Sequence, residues 1–530
     1  MIECTGDSTY SNVPMNRLIA LTFTLVFSVH SEWPQWRGPG RNGVVADGVT
    51  LLKAFPKEGL EKLWTSEFIP SDDDGGHGSV VVANGRVYMA IVWHTDVPTK
   101  TRAIDDLVLR KLGNRGTSQL GVALVAKMEE DRINLSRRLR GEKLQAWIDE
   151  WIEANLNKEQ KQVLGSWVAS RFKKGKAAIA IKDLQKLATM REHRFENDAA
   201  FKNWLGEQSF SEETKSQVIK AVPNTRKVAK DVVVCLDATT GKTLWKTDAP
   251  GEPIGRKASS TPCVADGKVF ALGGRHAYCV DAKTGAKVWA AELPSKGGAS
   301  SFLVAEGKAF IIVGKLIALD IKTGEVVWES NDVRGGNSSP VLWESGGKKF
   351  LLSNSNREVF CLNPADGKVL WRAPGGGDST PVVSGEHMAV YSREKKIGLA
   401  GYQITAAGAK MLWKIPLDAR RTQSTPVIYD GHVFLAGGDT QMCVELNSGK
   451  VKWKEKRSSN ISSPFIADGR LFAFEKKGSE LVMLRADPLA HYEEGKARVR
   501  AMWCPSPVLS RGKLYVRQGN GVACFNLAAE

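Results

Sequence analysis

An all-β fold is predicted: an eight-bladed β-propeller of four-stranded antiparallel blades, with a helical insertion in the first blade. Three observations predict it. The pattern Asp-x-x-Thr-Gly-x-x-x-Trp runs from Asp237 to Trp245, Asp281 to Trp289 and Asp320 to Trp328. Degenerate copies end at Trp371, Trp413 and Trp453, so the tryptophans are 44, 39, 43, 42 and 40 residues apart. A small polar pair and a proline lead the units, as in Ser260-Thr261-Pro262, Ser338-Ser339-Pro340, Ser379-Thr380-Pro381 and Ser424-Thr425-Pro426. A period near 40 residues, with four short strands per unit, is the signature of a propeller.

Each unit reads in the same order. The proline heads the first strand, where no ladder hydrogen bond need be donated. Asp266-Gly267, Asp430-Gly431 or Asp468-Gly469 then turns the chain, because Gly accepts the positive φ of a two-residue hairpin. A second strand such as 268–272 follows, and a third ends in Leu236-Asp237 or Val280-Asp281. Thr-Gly turns into the fourth strand, which carries the tryptophan. A large flat ring at one fixed place is expected to fill the wedge between neighbouring blades.

Blade 1 begins at Gly78-Ser79-Val80, with Asn84-Gly85 as its turn and its outer half at 232–245. Six more are headed at Pro262, Phe302, Pro340, Pro381, Pro426 and Pro464. The last, 507–527, has three strands. The missing strand is expected at 60–68, where closure of the ring removes exposed edges. The expected divisions are 1–31 (extension and signal peptide), 32–92 (closing strand and first half of blade 1), 93–231 (helical insertion) and 232–530 (the remaining propeller).

The insertion has helical periodicity, with Leu144, Trp147, Ile148, Trp151 and Ile152 on one face. Four to six helices are expected. Ser209-Phe-Ser-Glu212 reads as a capping box, and Asn157-Lys-Glu-Gln160 as another helix start. Residues 94–231 carry a net charge of about +8. The two signs are interspersed, so a solvated lid is expected rather than a nucleic-acid surface. Strand order puts the lid on the face of the blade-to-blade links.

The 530 residues carry a net charge of +16, which favours anionic partners at low specificity. Met15-Asn16-Arg17, the apolar run 18–29 and Val29-His30-Ser31 read as a secretory signal; the run is too short to span a bilayer. A periplasmic or secreted monomer is expected. Cys235, Cys279, Cys361, Cys443 and Cys524 share one repeat position, so they are expected as buried core residues rather than a disulfide framework.

The links carry the candidate site. Six residues before the strand-leading residue stand Arg256, Lys296, Arg334 and Arg420. The repeat is expected to gather them around the channel mouth, a positive rim for carboxylate, phosphate or sulfate. Three residues before it stand Ser259, Asn337, Asp378 and Gln423, polar groups suited to orienting a ligand. Asp72-Asp73-Asp74 lacks the alternating spacing of a calcium loop and is expected as an exposed loop. The histidines have no metal spacing, no metal site is expected, and no nucleophile motif or phosphate loop is present.

The Asp-x-x-Thr-Gly-x-x-x-Trp units resemble the pyrroloquinoline quinone (PQQ) repeat family over 59–92 and 232–527. The opening Trp33-Pro-Gln-Trp36-Arg37-Gly38-Pro39 is similar to the head of PQQ-like propeller proteins common in planctomycete bacteria. The resemblance implies one of two activities. Quinoprotein alcohol dehydrogenases hold PQQ and calcium on the axis and use an Asp as base. BamB-like relatives have lost the cofactor and act as scaffolds in envelope protein assembly. This chain lacks the adjacent Cys-Cys pair and a clear Glu, Asn and Asp calcium set. The expectation is a non-catalytic exported scaffold with an axial anion-binding face, its partners being envelope proteins, anionic small molecules or glycans. The alternative is a PQQ-dependent alcohol dehydrogenase of the polyvinyl alcohol dehydrogenase type. Asp378 would then be the catalytic base, and Arg256, Arg334 and Arg420 would hold the cofactor acids. A third reading is a polyanion-binding module that uses the basic lid.

Overall fold

Every repeat folds around the same short turn, and the turn explains the motif. In the first copy Asp237 Oδ1 accepts from the backbone N–H groups of Thr239 (3.0 Å) and Thr240 (2.8 Å) and from the Thr240 hydroxyl (2.9 Å). These bonds, led by the Thr240 N–H, hold its carboxyl below the usual carboxylate range. Gly241 follows at φ +72°. A Cβ on Gly241 would meet the Trp64 ring at 2.4 Å, and one on Gly285 would meet Trp245 at 2.6 Å. The glycine thus serves twice: it adopts positive φ, and it leaves room for the tryptophan of the neighbouring sheet.

The computed structural model describes Met1 and residues 32–46, 48–136, 138–417 and 421–529. The signal-like segment 15–31 lies outside the described residues. Among the described residues, eight sheets of three to five strands follow one another, beside a two-stranded pair. The first holds Val81–Ala83, Arg86–Pro98, Thr225–Asp237 and Thr243–Gly251 in that order. The last places Lys62–Thr65 antiparallel to Gly521–Asn526, the closing strand expected at 60–68. In two sheets the middle strands form one run, Lys308–Asp320 and His432–Glu445, turning at Gly314 (φ +74°) and Gly438 (φ +52°). The propeller fold that the repeat predicts is therefore present.

Between sheets, seven tryptophans among the described residues donate their indole N–H to a carbonyl of the next unit, Trp343 to Gly385 and six at the repeat position. The six are Trp64 to Ala238, Trp289 to Ile321, Trp328 to Pro364, Trp371 to Thr405, Trp413 to Leu446 and Trp453 to Asp487. Cys235, Cys279, Cys361, Cys443 and Cys524 are buried free thiols.

The segment after residue 32 bridges the leading strands of several sheets. Trp33 exchanges backbone hydrogen bonds with Val82, Pro34 O accepts from Val264 N, and Gly43 O accepts from Ile466 N. Val44–Val45 adds a parallel strand beside Phe465–Ala467. Arg37 donates to the carbonyls of Thr425, Pro426 and Asn42, each at 2.7 Å. Arg41 donates to Phe302 O at 2.6 Å and Ser301 O at 3.1 Å. Burial, with Arg41 nearby, pulls the Arg37 pKa down to about 9. Two buried cations tied to carbonyls of opposite sheets fix this strap across the ring.

The insertion leaves the first sheet through an extended arm, because Arg86–Pro98 and Thr225–Asp237 stay paired to Pro98↔Thr225. Seven α-helices fill it among the described residues, more than the four to six expected. Several are short, such as Asp106–Leu112 and Ile181–Ala188, and one or two turns give little periodicity to read. Asn157 and Gln160 do form a reciprocal capping box. Ser209 does not cap the helix Glu212–Ala221; Ser211 does, its hydroxyl accepting from Thr214 N. Glu129 joins three helices, accepting from Arg132 of its own helix (2.8 Å), Arg171 of Lys158–Lys174 (2.7 Å) and the Ile181 N–H of Ile181–Ala188 (3.2 Å).

Candidate functional site

The links place two tiers of side chains around the axis. The lower tier is the hydroxyl just before each strand-leading residue. Ser79 N donates to Thr261 Oγ1, Thr261 N to Ser301 Oγ, Ser301 N to Ser339 Oγ and Ser339 N to Thr380 Oγ1. Thr380 N donates to Thr425 Oγ1, Thr425 N to Ser463 Oγ, Ser463 N to Ser506 Oγ and Ser506 N back to Ser79 Oγ. The circuit closes after eight bonds. Each hydroxyl satisfies a buried N–H of the preceding unit, which explains why the landmark requires Ser or Thr.

The upper tier lies two residues earlier: His77, Ser259, Ala299, Asn337, Asp378, Gln423, Ile461 and Cys504. Of these, all but Asp378 line a well of about 180 Å³, together with Trp36 of the strap and four hydroxyls of the lower tier. Among the described residues neither Arg nor Lys lines it. Three candidate residues converge: Asn337 Nδ2 donates to Asp378 Oδ1 at 3.0 Å, and Gln423 Nε2 to Asp378 Oδ2 at 3.4 Å. Both carboxylate oxygens are thus occupied. His77 Nε2 meets Asp72 Oδ1 at 2.8 Å; burial lowers the imidazole pKa, with Asp72 opposing. Burial pushes the Cys504 thiol up to about 12, which keeps it protonated at neutral pH and a poor nucleophile. His77, Ala299, Ile461 and Cys504 were missed in the sequence. Counting three residues back from every strand-leading residue would have found them.

The basic candidates lie elsewhere. Arg256 pairs with Asp73 at 3.3 Å and Asp72 at 3.5 Å, and Lys296 pairs with Glu252. Both line a cleft of about 820 Å³ under the insertion rather than the well. Arg334 turns back on its own strand, its Nε donating to Asn331 O at 3.0 Å. Arg420 lies outside the described residues. The acidic run is exposed at Asp72 and Asp74, as expected, and is engaged as well, since Asp74 also pairs with Lys227 at 2.6 Å. Among the described residues no group of three His, Cys, Asp or Glu side chains is placed to hold a metal ion.

PQQ would need room for a tricyclic quinone and cations for its carboxylates. The well is below the roughly 300 Å³ at which small-ligand sites begin. Among the described residues its lining has no Arg or Lys, and the candidate base is held by two amides. These residues do not fit the cofactor.

Known proteins bear on the fold. Tetrathionate hydrolase of Acidithiobacillus ferrooxidans is 23% identical over 271 residues, 45% of this chain and 53% of its own length. The chain therefore spans about half of that relative. Outer membrane protein assembly factor BamB of Yersinia pestis is 22% identical over 277 residues, 48% of this chain and 67% of the relative. The crystal structure of BamB from Moraxella catarrhalis aligns at 18% identity and a TM-score of 0.45, covering 55% of this chain and 87% of that one. The model of the family described as outer membrane protein assembly factor BamB matches residues 229–391 and 355–530, more than half of the chain. With the Thr-Gly turns, the tryptophan wedges and the closing strand all in place, the chain belongs to that family of PQQ-repeat propellers.

Proposed function

We propose that this protein is an exported, non-catalytic binding scaffold of the cell envelope, whose link face and overlying insertion receive its partners. The observation that carries the reading is the axis itself. The strap held by Arg37 and Arg41 places Trp36 against the well and leaves about 180 Å³ of space, lined among the described residues by neither Arg nor Lys. A fixed plug suits a rigid platform better than a catalytic chamber. Relatives named as outer membrane protein assembly factors point to envelope proteins as partners. Export rests on the signal-like residues 15–31.

The test has two arms. Purified protein is incubated with PQQ and calcium, desalted, and examined for bound quinone absorbance and for dye reduction with alcohols. Separately, tagged protein is crosslinked in the envelope of its host and the captured proteins are identified. No quinone retention, with reproducible capture of envelope proteins, is the expected result. Retained quinone with alcohol-dependent turnover would overturn the reading in favour of the dehydrogenase.

A further inference from the structure

A second cavity lies off the axis. A cleft of about 820 Å³ opens between the insertion and the propeller, within the range of small-ligand sites. One wall is the helix Asp106–Leu112 and the turn 191–194. The other is the arm around Arg226 and the link 253–257. Nine cationic side chains and five carboxylates line it.

Four of those cations are already paired. Arg191 meets Asp106 at 2.7 Å, Lys227 meets Asp74 at 2.6 Å, Arg256 meets Asp73 at 3.3 Å, and Lys296 meets Glu252. Asp96 is also taken by Lys227, at 3.4 Å. Asp105 caps the helix, accepting from Val108 N at 2.9 Å. Arg110 and Lys111 stand in the last turn of that helix, where they favour the negative end of its dipole. Arg194 and Arg226 have neither an ion pair nor a helix end among the described residues, and Lys257, the last residue of the short 3-10 turn Gly255–Lys257, has no ion pair. They come from three distant segments and line one cavity. Glu192 is the lining carboxylate left without a cation.

One buried group of the cleft wall is only partly satisfied. His94 lines the cleft and is 5% exposed. Its Nε2 accepts from the backbone N–H groups of Ile254 (3.0 Å) and Gly255 (3.1 Å). The ring proton therefore sits on Nδ1, which is buried and has no hydrogen-bond partner.

We propose that this cleft binds a small multivalent anion, carrying two or more phosphate, sulfate or carboxylate groups, held by Arg194, Arg226 and Lys257. Guanidinium forks match such groups in bidentate fashion, and several cations on facing walls favour multiple charges over a single one. The inference is independent of the scaffold reading, because the purified chain needs no partner to bind an anion.

The test is calorimetric titration of the whole chain with inorganic tripolyphosphate and, separately, citrate, at constant ionic strength. Saturable one-site binding is expected for at least one of them, with a rise in Tm at saturation. The double variant Arg194→Gln/Arg226→Gln, and separately Lys257→Gln, should weaken binding at least tenfold and leave the ligand-free Tm unchanged. Arg372→Gln, on an outer strand away from the cleft, should bind like wild type. Absence of saturable binding would overturn the proposal. So would equal weakening by Arg372→Gln, which indicates diffuse charge, or saturation only by a poly-glutamate peptide, which indicates a macromolecular partner.

Discussion

Trp289 lies across the α-carbon of Gly324, so that a Cβ built there would come within 2.7 Å of the indole ring. The indole N–H also donates to Ile321 O at 3.0 Å, three residues earlier in the same turn. One tryptophan thus reads both the shape and the hydrogen bonding of its neighbour's Asp-x-x-Thr-Gly turn. The sheet-to-sheet joint is specified by two residues about a blade's length apart.

The joint predicts a graded response to alanine. Gly324 has φ +78°, so Gly324→Ala incurs left-handed strain as well as the ring clash. A loss of about 3 kcal/mol is expected, roughly half from each source. Gly267, at φ +69°, has nothing within 4 Å of its would-be Cβ. Gly267→Ala should lose only about 1–2 kcal/mol. Urea unfolding of the two variants separates strain from packing, and equal losses would discount the tryptophan contact.

The hydroxyl circuit predicts a chemical rather than steric requirement. Ser339 is 1% exposed and its Oγ accepts from Ser301 N at 2.9 Å. Ser339→Ala strands that N–H in a dry interior, at about 1–3 kcal/mol. Ser339→Thr keeps the oxygen, and threonine already stands at three of the eight positions, Thr261, Thr380 and Thr425. Its loss should stay under about 1 kcal/mol. Guanidinium unfolding midpoints for the two variants decide the point; similar losses would show that bulk, not the acceptor, matters.

What could be read from the sequence was what repeats locally. The Asp-x-x-Thr-Gly turn and the tryptophan announce themselves because their physics is complete within one unit or its immediate neighbour. The closing strand was legible for the same reason, since Gly59-Leu-Glu-Lys-Leu-Trp64 copies the fourth-strand pattern. The well was half legible. Asn337, Asp378 and Gln423 stood out as polar, whereas Ala299, Ile461 and Cys504 occupy the same ring position and look like ordinary core residues. The strap was not legible: nothing near Arg37 indicates that its partners are Thr425 and Pro426. Arg256 and Lys296 were identified as repeat-position cations. Their partners Asp73 and Glu252, and the cleft they line, depend on an insertion outside the repeat.

The strap makes its own prediction. Arg37→Met removes three charge-assisted bonds and exposes no new surface, since the site is buried. Removing the buried charge offsets part of that loss, and a net cost of about 2–4 kcal/mol is expected. Hydrogen exchange should show the change first at 33–45, where amides that pair with Val82 lose protection. Uniform loss of protection over the whole propeller would instead make the strap part of the global folding unit.

His94 predicts an acid-side loss of stability. Burial lowers its pKa below the ordinary value of 6.5, with Asp74 and Lys227 nearby acting in opposite directions. Protonation would also destroy the acceptor that Nε2 presents to Ile254 and Gly255. As the pH falls through 6.5, the unfolded chain takes up a proton that the folded chain still refuses. The unfolded state then binds more protons, so stability falls with falling pH by up to about 1.4 kcal/mol per pH unit for this group. His77 contributes in the same sense, since burial lowers its pKa too. His94→Gln retains an acceptor oxygen but no titration. Its stability, measured by urea unfolding at pH 7.5 and 5.5, should therefore fall less than that of wild type over the same interval. An identical fall in both proteins would assign the acid sensitivity to His77, since the carboxylates of the Asp-x-x-Thr-Gly turns titrate well below this interval.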